Sequence, residues 1–158
     1  MPLPPGAHAM TPLEIATTSI QGLIDQGGPA WSSTRCLYRT PEGRKCVVSQ
    51  LIADEDYIPQ MEYHNIDELI HMRFLGAIIN FPPYFRGHIE LLRDLQDLHD
   101  KHAETAYAEA DDEETQTKSS DQIFFETFLP DARETLMKYH NLTLSLDLSP
   151  LPKEWNIQ

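Results

Sequence analysis

Two histidines at i and i+3, His99 and His102, are the residues whose type and spacing best suit chemistry. On a helix they share a face, zinc sites use such pairs, and Asp94 or Glu104 can approach as a further ligand. That would make a small metal-dependent enzyme. The segment is not His-Glu-x-x-His, and no third ligand stands at a recognisable spacing. Leu95, Leu98 and His102 also fall on one apolar stripe, which makes two hydrogen-bonded histidines near a helix end the favoured reading over a metal site. The other groups of chemical residues are weaker. Asp54, Glu55 and Asp56 with Glu62 form a carboxylate cluster of the kind that binds magnesium or calcium, without the spacing or glycine of a calcium loop. A solvated acidic loop is the simpler expectation. His64, His71, His88 and His140 are scattered. Gly27-Gly28 has no Gly-Lys-Ser/Thr after it, and no serine sits in Gly-x-Ser-x-Gly, so neither a phosphate loop nor a triad is supported. The expectation is a protein with no catalytic set, metal or cofactor.

Both cysteines, Cys36 and Cys46, lie in one segment whose turn fixes their geometry. Thr40-Pro41-Glu42-Gly43 fits a type I turn closed by a left-handed glycine, which makes a three-residue hairpin loop with a bulge. With Thr40 facing Arg44, alternation puts Cys36, Tyr38, Cys46 and Val48 on a buried face. Leu37, Arg39, Lys45 and Val47 fall on a partly exposed one. Tyr38 then opposes Cys46, so the cysteines are diagonal neighbours. A disulfide has strict distance limits, and their spacing is too long for a zinc knuckle. Two buried thiols acting as small hydrophobes are expected.

The segment Cys36-x-Tyr38-Arg39-x-Pro41-x-Gly43-x-Lys45-Cys46 is followed by Leu51-Ile52-x-Asp54-x-x-Tyr57-x-Pro59-x-Met61-Glu62. Together they resemble a family of small uncharacterised bacterial and phage-encoded proteins. Thr11-Pro12-x-Glu14-Ile15 and Leu95-Gln96-Asp97-x-His99-Asp100 are similar to it too. The family tends to carry glycine soon after its second cysteine and after its Met-Glu pair, where this chain has Ser49-Gln50 and Tyr63. The resemblance implies no activity. Its frequent setting on phages and mobile elements implies a role against a host component.

Composition narrows the functional classes. The chain has 158 residues, 41% apolar, with net charge −13 and a pI near 4.8. One domain over 11–158, after a flexible 1–10, is the expectation. Direct binding to nucleic acid demands a basic footprint and is disfavoured. The N-terminal residues lack the cationic and apolar regions of a signal peptide, and no apolar run spans a bilayer. With two cysteines this points to a reducing cytoplasm.

The elements that must position these residues follow from punctuation and period. Thr11-Pro12-Leu13-Glu14 is a capping box opening a helix to about 25, stopped by Gly27-Gly28-Pro29. The hairpin occupies 35–52. A short helix spans 66–74, capped by Asn65 or Asp67. Long helices follow at 87–108 and 120–140, with Pro130 expected to kink or split the second. Between them, 109–119 reads as an acidic mobile linker. Residues 142–148 alternate Leu with Thr, Ser and Asp, the period of a half-buried strand that can join the hairpin as a third. Trp155 pins the tail. The expected fold class is α+β: a small antiparallel sheet (hairpin 35–52, joined by 142–148) packed against three or four helices.

Function then reads as a small acidic non-catalytic interaction protein. It is expected to be encoded by a phage or mobile element and to bind and inhibit a host protein, a defence or nucleic-acid-binding component. The partner-binding residues are Arg39, Arg44 and Lys45 on the hairpin, and Asp111, Asp112, Glu113 and Glu114 in the linker. The partner offers a basic nucleic-acid-binding surface. Phe124, Phe125 and Phe128 also offer apolar area for a homodimer.

Overall fold

Helix α1 (Pro12–Gln26) begins as its capping box dictates. Thr11 Oγ1 accepts from the Glu14 N–H at 3.1 Å, and the Thr11 N–H donates back to Glu14 Oε1 at 3.2 Å. It ends at Gly27, whose φ of +89° is left-handed and whose N–H reaches the carbonyls of Leu23 and Ile24. Ile15, Ala16, Ile20, Leu23 and Ile24 form its wholly buried face. The computed structural model describes residues 10–32, 35–74, 82–109 and 118–158 of the chain. The expected flexible N-terminus falls almost wholly outside them, as do 110–117 of the expected linker.

The hairpin turn forms as its sequence specifies. Thr40 donates its N–H to the Arg44 carbonyl at 2.8 Å, Gly43 takes φ +93°, and Arg39 bridges Lys45. The register places Tyr38 against Cys46, whose N–H donates to the Tyr38 carbonyl at 3.0 Å. Regular pairing lies further back, where strand β1 (Trp31–Ser32) runs antiparallel to β2 (Arg35–Cys36). The second arm of the hairpin does not stay extended to 52. Cys46, Val47, Val48 and Ser49 are buried in succession, so no face is left for water, and the chain turns into a 3-10 helix at Ser49–Leu51. Val47 therefore joins the core, not the exposed face. Further 3-10 turns follow at Asp54–Asp56 and Pro59–Tyr63.

The tail keeps the expected alternation but pairs with no strand. Leu144 is buried and Leu142, Leu146 and Leu148 are half-buried, while Thr143, Ser145 and Asp147 face out. Helix α1 supplies what a neighbouring strand would. The Gln21 side-chain amide donates to the Asp147 carbonyl at 2.9 Å and accepts the Asp147 N–H at 2.9 Å. Gln26 treats Lys45 the same way, at 2.7 and 3.0 Å. Two primary amides thus mimic peptide groups, one toward the hairpin and one toward the tail. Replacing Gln21 with alanine is expected to cost about 1 kcal/mol. Amide exchange at Asp147 should accelerate at least tenfold, with the hairpin unaffected.

Helix α2 (Ile66–Phe74) starts at Asn65, whose Oδ1 accepts the Glu68 N–H at 2.9 Å. Helices α3 (Ile89–Glu109) and α4 (Ser120–His140) form an antiparallel pair. Leu91, Leu92, Leu95 and Leu98 meet Phe124, Phe125, Phe128, Leu129 and Leu136 across it. The three phenylalanines are wholly buried here, so the apolar area that suggested a homodimer is consumed within the chain. Helix α4 runs unbroken through Pro130. That residue is exposed on the helix surface, and Asp131 beside it is held by His102. Among the described residues the architecture is α+β: a two-stranded antiparallel sheet with four α-helices. Among the described residues no helix is long and apolar enough to cross a membrane.

Candidate functional site

The three hairpin cations all find partners inside the chain. Arg39 is 14% exposed: its guanidinium donates to Ser49 Oγ, Asp54 Oδ1 and the Ile52 carbonyl, and lies 4.7 Å over the Tyr57 ring. Arg44 grips Asp121 through both nitrogens at 2.8 and 2.9 Å. That pair ties the hairpin turn to the first turn of α4, and Tyr107 joins it by donating its hydroxyl to Asp121 Oδ1 at 2.9 Å. Burial, with the Asp121 charge adding, pushes the Tyr107 phenol up to about 12. A Cβ on Gly28 would run into both members of the pair, so a larger residue there would have to displace that ion pair. Lys45 reaches Asp54 at 3.1 Å and, with Arg39, holds that carboxyl below its ordinary range. Asp111, Asp112, Glu113 and Glu114 lie outside the described residues.

The motif that carried the family resemblance folds into one hydrogen-bonded unit. Glu62 accepts the N–H of Tyr38 at 2.8 Å on one oxygen, and the N–H of Arg39 at 3.0 Å with the Tyr57 hydroxyl at 2.6 Å on the other. The Tyr38 hydroxyl donates to the His64 carbonyl at 2.8 Å. Asp54 and Glu62 therefore serve different partners and do not converge on a cation.

The two candidate histidines point to different places. His99 is wholly buried, and its Nε2 accepts the Ala30 N–H at 3.2 Å. The ring proton is thereby placed on Nδ1, which donates to Asp100 Oδ1 at 2.9 Å. Gln96 donates to the same oxygen at 2.7 Å and accepts from the Cys46 thiol at 3.3 Å. His102 turns instead to α4 and donates to Asp131 Oδ2 at 2.7 Å. More than two helical turns away, His140 of α4 donates to Asp94 of α3 at 2.7 Å.

Cys36, His99 and Asp100 bring one ligand atom each to within 4.8 Å of one another. Their hydrogen bonds do not suit a metal ion. An ion on Nδ1 would displace its proton while Nε2 already accepts from Ala30, leaving an imidazolate. Burial, then the Asp100 charge, pushes the Cys36 thiol up, away from the thiolate that binds metal or attacks carbon. Cys46 is likewise held as a thiol by burial. Both cysteines are free.

His102 and Asp131 make a pH-sensitive clasp. The hydrogen bond from His102, with Lys101 adding, lowers the Asp131 carboxyl below its ordinary value. An acid stronger in the folded than in the unfolded chain stabilises the fold above its unfolded value of about 3.9 and loses that effect as pH falls through its folded one. Asp131→Asn should therefore cost about 1 kcal/mol at pH 7, a figure reduced for its exposure, and the difference from wild type should shrink as pH falls below about 3.9 and disappear once Asp131 is protonated in the folded chain. Urea titrations at neutral and acid pH check this.

Beside the network lies a cavity of about 450 Å³ between β2, the residues after it, α2 and α3. Cys36, Leu37, Tyr38 and Ile66 make its apolar wall, and Asp97 and Asp100 stand on α3. Its one lining guanidinium among the described residues, Arg93, is paired with Asp67 at 2.7 Å. Burial, and the charges of Asp100 and Asp94, raise the Asp97 carboxyl. This groove was only partly visible in sequence. Gln96, Asp97 and Asp100 belong to a stretch with family resemblance, and Glu62 to the carboxylate cluster, but nothing announced that Asp67 and Arg93 would join α2 to α3.

The site and fold define a small acidic α+β protein in which Glu62, His99, Gln96 and Asp100 bond to neighbours beside a groove. No family model, no curated protein and no solved structure matches the chain. The resemblance of the hairpin motif therefore rests on the residues quoted for it.

Proposed function

We propose that the protein acts by binding another protein, one with a basic, nucleic-acid-binding surface, and inhibits it by competing with nucleic acid. The observation that carries this reading is the sorting of charge. Among the described residues Arg39, Arg44, Lys45, Arg93, Lys101 and Lys118 are paired with carboxylates, and Lys138 and Lys153 are exposed cations without such a pair. Glu42, Glu55, Glu104, Glu134 and Glu154 are exposed with no ion pair among the described residues. The net charge of −13 is thus offered outward as acid. Such a surface accelerates encounter with a basic partner and suits it to a channel that otherwise holds phosphates. A host target, and origin on a phage or mobile element, rest on the resemblance of the hairpin motif.

The test is capture of host proteins on the immobilised chain, followed by competition. A partner held at low salt should be released by about 0.5 M salt, where screening is nearly complete. Excess double-stranded DNA or RNA should displace it as well. A partner that binds nucleic acid and this protein together, with neither weakening the other, would overturn the inhibitory reading.

A further inference from the structure

We propose that the groove between β2, α2 and α3 is the anchor for one arginine side chain of the basic partner, its stem against Leu37, Tyr38 and Ile66 and its guanidinium on Asp97 and Asp100. This deepens the binding reading above and rests on it for the source of the arginine. Three features of the groove fit that occupant.

The first is its shape. It is a concavity of about 450 Å³ lined by the buried Tyr38 and Ile66 of the hairpin and the first turn of α2, and by the exposed Asp97 of α3. A long side chain that is apolar along its stem and charged at its tip matches a site that is apolar within and acidic at the rim. A small anion is repelled by the acidic rim, and a hydrated metal ion leaves the apolar part unfilled.

The second is the state of the carboxylates. Glu62 is saturated by two backbone N–H groups and a phenol, Asp67 by Arg93, and one oxygen of Asp100 by His99 and Gln96. Asp97 has no hydrogen-bond donor among the described residues, while Asp100 also has the Cys36 thiol beside its carboxylate. Both carboxylates, one helical turn apart on α3, line the groove. A guanidinium presents planar donors that can bridge them, whereas an ammonium is a single point of charge.

The third is the electrostatic balance. Asp94, Asp97 and Asp100 crowd one side of α3, and Arg93 only partly offsets them at Asp97. A cation supplied from outside relieves a repulsion that the chain leaves in place, so complementarity is built toward a partner and not toward the fold. For the same reason Asp97→Asn should fold at least as stably as the wild type, which keeps a loss of binding separate from a loss of structure.

The experiment is an NMR titration with arginine amide, then with a tetra-arginine peptide. Shifts should saturate and cluster at residues 36–38, 62–67 and 93–100. Asp97→Asn should weaken the peptide at least tenfold, while the distant pair Glu134→Gln with Glu154→Gln, which removes more charge, should weaken it less than threefold. Lysine amide should bind several-fold more weakly than arginine amide. Equal losses in the two variants, or shifts spread over the whole acidic surface, would overturn the proposal. If a captured partner holds Asp97→Asn as tightly as wild type, the groove is not its anchor, although partner binding stands. If arginine amide fills the groove while no basic partner binds, the groove stands and the functional reading falls.

Discussion

Glu62→Gln should destabilise the protein by about 3 kcal/mol, nearly as much as Glu62→Ala, because the site needs two acceptors and glutamine has one. Each carboxylate oxygen has its own backbone donor, Tyr38 N–H on one and Arg39 N–H on the other, and the Tyr57 hydroxyl shares the second. An amide nitrogen in place of either oxygen sets donor against donor. A partly buried N–H then loses its partner, and a charge-assisted bond becomes a repulsion. An exposed Glu→Gln change ordinarily stays within about 0.5 kcal/mol. Urea denaturation of Glu62→Gln and Glu55→Gln side by side therefore separates the two cases. A Glu62→Gln variant as stable as Glu55→Gln would show that Glu62 does not clamp the strand.

The same bond explains what the hairpin motif is for. Tyr38, Arg39, Asp54, Tyr57 and Glu62 read along the chain like a functional signature, with cations and carboxylates at fixed intervals. In space they bond one another. Arg39 spans the arm that Tyr57 and Asp54 close, and Glu62 returns to the strand on which Arg39 sits. Spacing alone does not distinguish residues gathered for a ligand from residues gathered for each other. Burial does, and burial depends on how the 3-10 turns fold back.

Local signals carried much of the fold. Thr11 with Glu14, Gly27 and Gly43 each settle their geometry within four residues, and all three formed as their chemistry requires. The burial period of the tail was equally legible, since Leu142, Leu144, Leu146 and Leu148 do face inward. Its pairing was not, because the partner is the side-chain amide of Gln21, more than a hundred residues earlier, and glutamine carries no periodic signature. The second hairpin arm failed for a related reason. A run of apolar residues such as Val47-Val48 is compatible with a buried strand or a buried turn, and only the packing of α1 decides. Of the site, the cations were visible but their direction was not. An arginine on a strand is read as exposed until a carboxylate such as Asp54 or Asp121 is known to lie beneath it. The groove depended on α2 meeting α3, a contact made by Asp67 and Arg93 across a stretch with no pattern of its own.

Phe124→Ala should be the most damaging single truncation, costing about 3–5 kcal/mol. Its ring is wholly buried, stacks on Phe128 at 4.8 Å, and meets Phe125 and His99 edge-on at 5.1 and 5.9 Å. Removing it opens a void between α3 and α4 where side chains on both helices are already fixed by one another, so relaxation recovers little. His99 cannot swing into the space without giving up the Ala30 N–H, and that links the core to the strand beyond it. For a chain of this size the loss corresponds to a fall in melting temperature of roughly 10 °C or more. Against a typical total of about 5–15 kcal/mol, the variant sits near the edge of folding. The control is Phe124→Leu, which keeps most of the volume and should cost about half as much. The stronger check is the Ala30 amide. In Phe124→Ala its exchange should accelerate by more than the global loss of stability accounts for, because the imidazole that accepts its proton has lost the ring that holds it upright. An Ala30 amide that tracks global unfolding in both variants would mean that His99 is positioned by Asp100 alone.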